Sequence, residues 1–325
     1  MVDFSAVATP FLVLALLLAL AALITGARFF TAAAERVGLA FGMSPFTVGV
    51  FIVAIGTSLP ELVSSLVAVT HARSEVVSGN VLGANTALLL LVLGVVAAIS
   101  RRGIQLGERY IAIDLNFMLG SAALLALVMH DGTIGRIEGL LLLVCYGVYS
   151  VYQVTEGRTA TATDAFDASL PGPAKSGLRW RDLLWLAVGG GLIFVAADTV
   201  LHALIEVAAR IGISPALASL TILSLGTALP ELVVSVAAAM AGRAEMAIGN
   251  ILGSCIFNAL GVAGIAASVD RVAVPQELLR LPLPAFAGAA ILFYLLTSDR
   301  RVSRSEGWLF VLAYGLLVAE LAGIA

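Results

Sequence analysis

The feature that most limits the fold is an internal repeat. The segment GTSLPELVSS at 56–65 recurs as GTALPELVVS at 226–235, with eight identities in ten at an offset of 170 residues. At the same offset, GNVLG at 79–83 recurs as GNILG at 249–253, and Ser44-Pro45 recurs as Ser214-Pro215. Because three separate segments share one offset, we expect the chain to consist of two copies of one structural unit.

Long apolar runs, separated by polar clusters, place both copies in a membrane. Only 12% of the residues are charged and the mean hydropathy is +1.05, whereas a soluble domain has about a quarter of its residues charged. This composition excludes a soluble enzyme and a disordered scaffold, and the net charge of −3 offers no basic face for nucleic acid. A window of about 19 residues predicts ten membrane spans, with limits near 9–27, 45–70, 76–99, 110–130, 137–154, 183–205, 213–241, 246–268, 281–298 and 306–324.

The order of the spans predicts two inverted halves. We expect a first five-helix repeat over residues 1–154, a linker over 155–181 and a second repeat over 182–325. Since each repeat holds an odd number of spans, the copies cross the membrane in opposite directions. Lys and Arg divide 13 to 5 between the odd-numbered and even-numbered loops, which predicts a cytoplasmic linker and both termini outside. The predicted fold is an all-α polytopic membrane protein of ten transmembrane helices, with discontinuous helices at the midplane.

The repeated motif puts one carboxylate at the middle of the second span and another at the middle of the seventh. Glu61 and Glu231 each cost about 2.5–3.5 kcal/mol at that depth, and no Lys or Arg lies in the same stretch of either span. Pro60 and Pro230 each lack an N–H, which frees backbone carbonyls one turn away. Carboxylate and carbonyl oxygens are the ligands of hard cations such as Ca²⁺ and Na⁺, so the motif predicts a cation or proton site.

Together these segments resemble the cation/calcium antiporter superfamily, and most closely its prokaryotic members similar to sodium/calcium exchangers. The matching elements lie at 56–61, 79–85, 226–231 and 249–255, and the likeness extends over nearly the whole chain. The resemblance implies a prokaryotic plasma (inner) membrane protein, with ions as substrates, no cofactor and no obligatory protein partner. It also implies that spans one and six slide across a rigid core to alternate access.

The resemblance further implies the ion ligands, residue by residue. A Ca²⁺ site would use the carboxylates of Glu61 and Glu231 with the carbonyls of Thr57 and Thr227. Sodium sites above and below it would use Ser58, Ser254 and the backbone at Ala54 and Ser224, and Asn258 would stand beside the two glutamates.

Some positions depart from the family pattern. Ala228 replaces a usual Ser, Ala84 precedes Asn85 where Ser-Asn is usual, and Leu88 stands where an Asn or Asp is expected. Each expected Na⁺ site thereby loses one hydroxyl, and the central position beside the glutamates loses an amide. Asn85 is one candidate to substitute for a missing ligand. We therefore expect calcium to be exchanged against sodium with weakened or altered sodium coupling. The alternative is a proton-coupled calcium or monovalent-cation antiporter.

Other classes of protein fit the sequence less well. An intramembrane protease would need a His-Glu-x-x-His element, a Ser/His dyad or an aspartate pair in a matching motif, so we expect no enzyme. A channel would also place carboxylates in a pore, but an inverted repeat favours alternating access. Asp198, inside span six, admits two interpretations: a gating or proton-relay residue, or part of a polar stripe with His202 and Glu206. Asp114 is expected at a solvated span end.

Overall fold

The computed structural model describes residues 7–100, 103–106, 114–159, 178–210, 226 and 228–321. These residues form helices joined by short loops and four strands of two residues each, so the all-α prediction is confirmed. In chain order the elements are α1 (Thr9–Ala40), α2 (Pro45–Thr57), α3 (Leu59–Thr70), α4 (Glu75–Ile99), β1 (Ile104–Gln105), α5 (Asn116–Met129), β2 (Thr133–Ile134), α6 (Arg136–Thr159), α7 (Trp180–Arg210), α8 (Leu229–Met240), α9 (Ala244–Val269), β3 (Val272–Ala273), α10 (Gln276–Thr297), β4 (Arg301–Val302) and α11 (Arg304–Leu321).

The helices lie where the apolar runs predict them. Among the described residues, five helices are long and apolar enough to cross a membrane: α1, α4, α7, α9 and α10. The bent pair of α2 and α3 makes a sixth span if it is counted as one. Some boundaries differ from prediction: α7 ends at Arg210 instead of near residue 205, and α10 begins at Gln276 instead of near residue 281. Helix α1 runs on to Ala40 instead of ending near residue 27, because no glycine pair or proline stops it before Gly42. Helix α6 continues to Thr159, into the predicted linker, and residues 160–177 of that linker lie outside the described part of the chain.

Burial divides the helices into a core and a peripheral pair. Helices α4 and α9 are largely buried within the protein, whereas α1 and α7 pack antiparallel against each other and leave most of their apolar surface exposed. Exposed apolar helix surface of this kind suits contact with lipid. The two peripheral helices therefore lie along the outside of a tightly packed centre.

Glycines bring α2 and α9 into backbone contact at this centre. A Cβ added at Gly49 would overlap the carbonyl oxygen of Met246, and one added at Gly249 would overlap that of Phe46. A Cβ at Gly253 would overlap the backbone of α2 in the same way. Small residues permit such close packing of helices in membrane proteins. As a result, α9 from the second repeat lies directly against the motif-bearing segment of the first.

The four short strands join loops from opposite halves of the chain. Strand β1 pairs antiparallel with β4, with Ile104 opposite Val302, and β2 pairs antiparallel with β3, with Ile134 opposite Val272. Strands β1 and β2 come from the first half, and β3 and β4 from the second. Each pair thus ties one loop of the first half to one loop of the second.

Candidate functional site

The site lies where the repeated motif breaks its helix. Helix α2 ends at Thr57 and α3 begins at Leu59, with a bend of 41° between them. Ser58 at the break has φ −89° and ψ 7°, and Ala228, its counterpart before α8, has φ −86° and ψ 0°. The proline that follows each break lacks the N–H that would continue the helix. The predicted interruption is confirmed in the first copy, and in the second α8 begins at the matching residue.

Both motif glutamates lie in the first turn of the helix after the break. Glu61 is 3% exposed and Glu231 is 1% exposed, and their carboxyl groups are close enough to interact electrostatically. The positive end of a helix dipole favours a carboxylate in this position. Within the described residues, neither oxygen of Glu61 has a hydrogen-bond donor, and Oε2 of Glu231 also has none. A buried carboxylate without donors is costly, so this pair is suited to a positively charged ligand.

The two carboxylates differ in their hydroxyl neighbours. Ser58 Oγ, from the first copy, donates to Glu231 Oε1, in the second, at 3.1 Å. The Thr57 hydroxyl also lies within reach of Glu231. The mirror-related donor to Glu61 would come from position 228, which is Ala. The repeat therefore supplies a Ser hydroxyl to one glutamate and no equivalent to the other.

Two predicted ligands project from α9 into the buried centre. Ser254 and Asn258 are buried, and among the described residues neither side chain has a hydrogen-bond partner. Asn258 lies in a π-helical turn, Phe257–Val262, that packs against α3. Its counterpart Leu88 begins a second π-helical turn, Leu88–Val92, that packs against α8. The sequence analysis did not predict these two π-helical turns or a further one at Gly49–Val53 in α2, although such turns are frequent at functional sites.

A buried hydrogen-bond chain links the two copies beside the carboxylates. Thr57 Oγ1 donates to Asn250 Oδ1 at 3.3 Å, and Asn250 Nδ2 donates to Ser235 Oγ at 2.8 Å. In the first copy, Asn80 is less buried and reaches Ser64 at only 3.5 Å. Asn250 and Ser235 were not predicted as part of the site, and their positions in the repeated segments were the available signal.

The remaining predicted ligands have varied outcomes. Thr227 and Ser224 lie outside the described residues. Ala54 is buried, and its carbonyl already accepts from the Ser58 amide at 3.0 Å. The same carbonyl lies 3.3 Å from Thr57 Oγ1 and is an alternative acceptor to Asn250 for its one proton. Asn85, which was considered as one substitute ligand, donates to the carbonyl of Cys255 at 3.2 Å. Asn85 and Cys255 are 170 residues apart, so equivalent positions of the two copies meet here.

A cavity with mainly apolar walls borders Glu61 and opens to the protein surface. It has a volume of about 810 Å³ and is lined by Glu61, Ser64, His71 and Arg73 on one side and by Asp198 of α7 on the other. A second, more apolar cavity of about 450 Å³ separates α7 from Pro60 and Pro230. Both cavities lie between the core and the peripheral α1–α7 pair. The carboxylate oxygens of Glu61 are themselves buried, so the cavity ends beside this carboxylate without exposing it.

Two further acidic residues are placed by the structure. Asp198 is partly exposed in this cavity and lies 3.4 Å from His202 Nδ1. Asp114 was expected at a solvated span end, but it is 0% exposed and accepts a hydrogen bond from Tyr149 at 3.3 Å. That expectation was wrong because α6 packs over the start of α5, where its Tyr149 contacts Asp114. Among the described residues, no group of three His, Cys, Asp or Glu side chains converges.

The chain matches one protein family and two named relatives over nearly its whole length. A family model described as sodium/calcium exchanger protein matches residues 11–155 and 182–321. The chain is 31% identical over 316 residues to a protein named antiporter CaxA from Alkalimonas amylolytica, covering 95% of this chain and 96% of the relative. It is 30% identical to inner membrane protein YrbG of Escherichia coli, covering 93% and 96%.

The fold is similar to a solved exchanger structure as well. The sodium-calcium exchanger NCX_Mj, soaked with 2.5 mM Na⁺ and 0.1 mM Ca²⁺, superposes with a TM-score of 0.80 at 27% identity. The match covers 96% of this chain and 98% of that one.

Proposed function

Because the chain belongs to the sodium/calcium exchanger family, we propose that it carries Ca²⁺ and monovalent cations alternately through the site formed by Glu61 and Glu231. The family is one of ion transporters, so the expectation of a membrane antiporter instead of an enzyme is confirmed. The observation that carries the proposal is the buried, closely spaced pair of carboxylates, three of whose four oxygens have no donor among the described residues.

The oxygen atoms around the two carboxylates favour a hard divalent ion as ligand. The buried side chains of Glu61, Glu231, Asn258 and Ser254 supply carboxylate, amide and hydroxyl oxygens, and Ca²⁺ takes six to eight oxygen ligands. One divalent ion neutralises two carboxylates without any protein cation. The carbonyls of Thr57 and Thr227 and the backbone at Ser224 complete the proposed ligand set from the resemblance.

The uneven hydroxyls support an altered monovalent coupling. Ser58 contacts Glu231, and Gly253, next to Ser254, packs on Ala54. One monovalent-cation site beside Glu231 therefore keeps Ser58, Ser254 and the Ala54 carbonyl. The mirror-related site beside Glu61 has Ala228 and Ala84 in the equivalent positions. Both missing hydroxyls then fall on the Glu61 side, which differs from the expected loss of one per site. Coupling to fewer Na⁺ ions follows, with proton coupling as the alternative.

The contacts between loops support ten spans in two inverted repeats. Strands β1 and β4 join the loops after the third and ninth predicted spans, and β2 and β3 join those after the fourth and eighth. Each pair thus joins loops predicted on the same side of the membrane. The charge bias places the odd loops and the linker in the cytoplasm and both termini outside. The relative named as an inner membrane protein supports a prokaryotic inner membrane location.

The test is calcium flux into proteoliposomes under an imposed Na⁺ gradient and then under a pH gradient. Glu61→Gln and Glu231→Gln should each abolish Ca²⁺ transport, because one carboxylate no longer balances the divalent charge. Glu75→Gln, which changes an exposed carboxylate of the same repeat, is the matched control and should transport normally. Normal Ca²⁺ flux in both site variants would show that the site is wrongly placed. Steep Na⁺ dependence in the unaltered protein would contradict altered coupling.

A further inference from the structure

The two repeats carry the same tight turn after their motif helix. In the first, the amide of Arg73 donates to the carbonyl of Ala68 at 2.9 Å, and in the second, the amide of Arg243 donates to that of Ala238 at 2.9 Å. The residue before each arginine has positive φ, 56° at Ala72 and 79° at Gly242. Both pairs are related by the offset of 170 residues. Arg73 and Arg243 are therefore equivalent positions in two copies of one turn.

The two arginines nevertheless have different surroundings. Arg243 Nη2 lies 2.6 Å from Glu35 Oε2 on α1, and both side chains are about a quarter exposed. Arg73 is exposed and lines the cavity that borders Glu61, and Asp198 of α7 lines the same cavity. Within the described residues Arg73 takes part in no ion pair. The turn at Arg243 is therefore joined to α1 by an ion pair, whereas the turn at Arg73 borders a cavity.

Helices α1 and α7 are built to move together. Arg36 lies 2.6 Å from Asp182 at one end of the pair, and Arg210 donates to Thr9 Oγ1 at 3.0 Å at the other. These links hold α1 to α7, whereas two cavities lie between α7 and the core. A helix that borders cavities has fewer contacts to break when it moves. A shift of the pair against the core can therefore close one cavity without separating α1 from α7.

We propose that Arg243 with Glu35, and Arg73 with Asp198, are alternative ion pairs that latch the α1–α7 pair against opposite ends of the core. This inference rests on the alternating exchange proposed above. In the present conformation the Arg243 end is latched and the Arg73 end is open. When the pair shifts, the Arg243–Glu35 contact breaks and the cavity closes as Asp198 meets Arg73. These four are positioning residues, which set the side from which the ion site is reached.

The test reads the conformation directly through two reporter cysteines. Val67→Cys reports the cavity at the Arg73 end, which Val67 lines, and Ala237→Cys occupies the equivalent position in the other repeat. Both are made with Cys145→Ala, while Cys255 is buried. A membrane-impermeant maleimide is added to sealed vesicles of each orientation, and the labelling rate of each reporter is measured without an ion gradient.

Opposite shifts are expected from the two latches. Glu35→Gln should lower labelling at Val67→Cys relative to Ala237→Cys by about fivefold, the effect of one partly exposed ion pair on a two-state equilibrium. Asp198→Asn should change that ratio in the opposite direction. Exchanging the charges, with Glu35→Arg and Arg243→Glu together, should restore the original ratio.

The control is Glu206→Gln, which changes a carboxylate of α7 that is already held by Arg210 at 2.8 Å; it should leave the ratio unchanged. The proposal is overturned if Glu35→Gln leaves the labelling ratio unchanged, or if the charge-exchanged double variant has the same ratio as Glu35→Gln. It is also overturned if Glu206→Gln changes the ratio as much as Asp198→Asn does. Because labelling requires no ion flux, a failure of Ca²⁺ transport in the flux assay does not produce any of these results.

Discussion

The hydroxyl that Glu61 lacks can be restored by Ala228→Ser. Ala228 and Ser58 have nearly the same backbone angles at equivalent breaks, so a serine at 228 directs its hydroxyl towards Glu61 as Ser58 directs its own towards Glu231. The change adds one oxygen in a buried position next to a carboxylate without donors. It should therefore create a donor to Glu61 and a ligand for a monovalent cation beside it.

The size of the effect follows from the existing contact. Ser58 donates to Glu231 at 3.1 Å, and a hydrogen bond to a charged group contributes about 1.5–3 kcal/mol. Each 1.4 kcal/mol changes an equilibrium constant by about tenfold. The same hydroxyl also stabilises the carboxylate when no ion is bound, so only part of this energy favours ion binding and we use the lower figure. Ala228→Ser should reduce the Na⁺ concentration for half-maximal exchange by about tenfold, and Ser58→Ala should raise it by a similar factor.

The assay is Ca²⁺ uptake into proteoliposomes preloaded with a series of Na⁺ concentrations. The steepness of the Na⁺ dependence should also increase in Ala228→Ser, since a second monovalent ion is bound. Ala241→Ser, beyond the end of α8, is the control for adding a hydroxyl and should leave the curve unchanged. An Ala228→Ser curve that coincides with that of the unaltered protein, alongside a shifted Ser58→Ala curve, would refute the mirror-image argument for the Glu61 side.

Two further predictions concern what holds the site together. Gly253→Ala should lower the thermal unfolding temperature in detergent, because its methyl group would overlap the backbone of Val50 and overpacking costs about 1–3 kcal/mol. Gly288→Ala, at a position where nothing lies within 4 Å of the added methyl group, should leave the unfolding temperature unchanged. Equal unfolding temperatures for the two variants would contradict the close α2–α9 contact. Asn250→Ala should destabilise the protein by about 1–3 kcal/mol, because it leaves buried partners unpaired. Asn80→Ala, at the less buried equivalent position of the first repeat, should have a much smaller effect in the same measurement. Comparable losses of stability would argue against the buried hydrogen-bond chain.

The helices and the carboxylate pair could be predicted from sequence for definite physical reasons. Long apolar runs have few alternatives to membrane-spanning helices, and a proline two residues after Ser58 removes a particular helical hydrogen bond. Duplication of the motif then identified Glu61 and Glu231 together. The break in α2–α3 and the burial of both carboxylates appear where these arguments place them.

Other features depend on packing that a single sequence does not specify. The π-helical turns at Leu88–Val92 and Phe257–Val262 use ordinary apolar residues, and helix propensity does not distinguish them from α-helix. Which serine serves which glutamate depends on the crossing of the two copies, so the Ser58–Glu231 contact required the structure. Asp114 is buried because α6 covers it, which its position near a span end did not indicate.

Symmetry of the backbone and asymmetry of the side chains have separate consequences in this protein. The matched turns at Arg73 and Arg243 give each end of the core an equivalent attachment point for the α1–α7 pair, so an ion pair that breaks at one end is replaced by one that forms at the other. Two conformations of similar free energy follow, as alternation requires. The ligand differences, Ser58 against Ala228 and Asn258 against Leu88, lie at the centre and are present in both conformations. Their contribution to ion binding is therefore similar whichever side is open. It follows that the departures from the repeat determine which ions are bound, while the repeated turns determine the side from which they are bound.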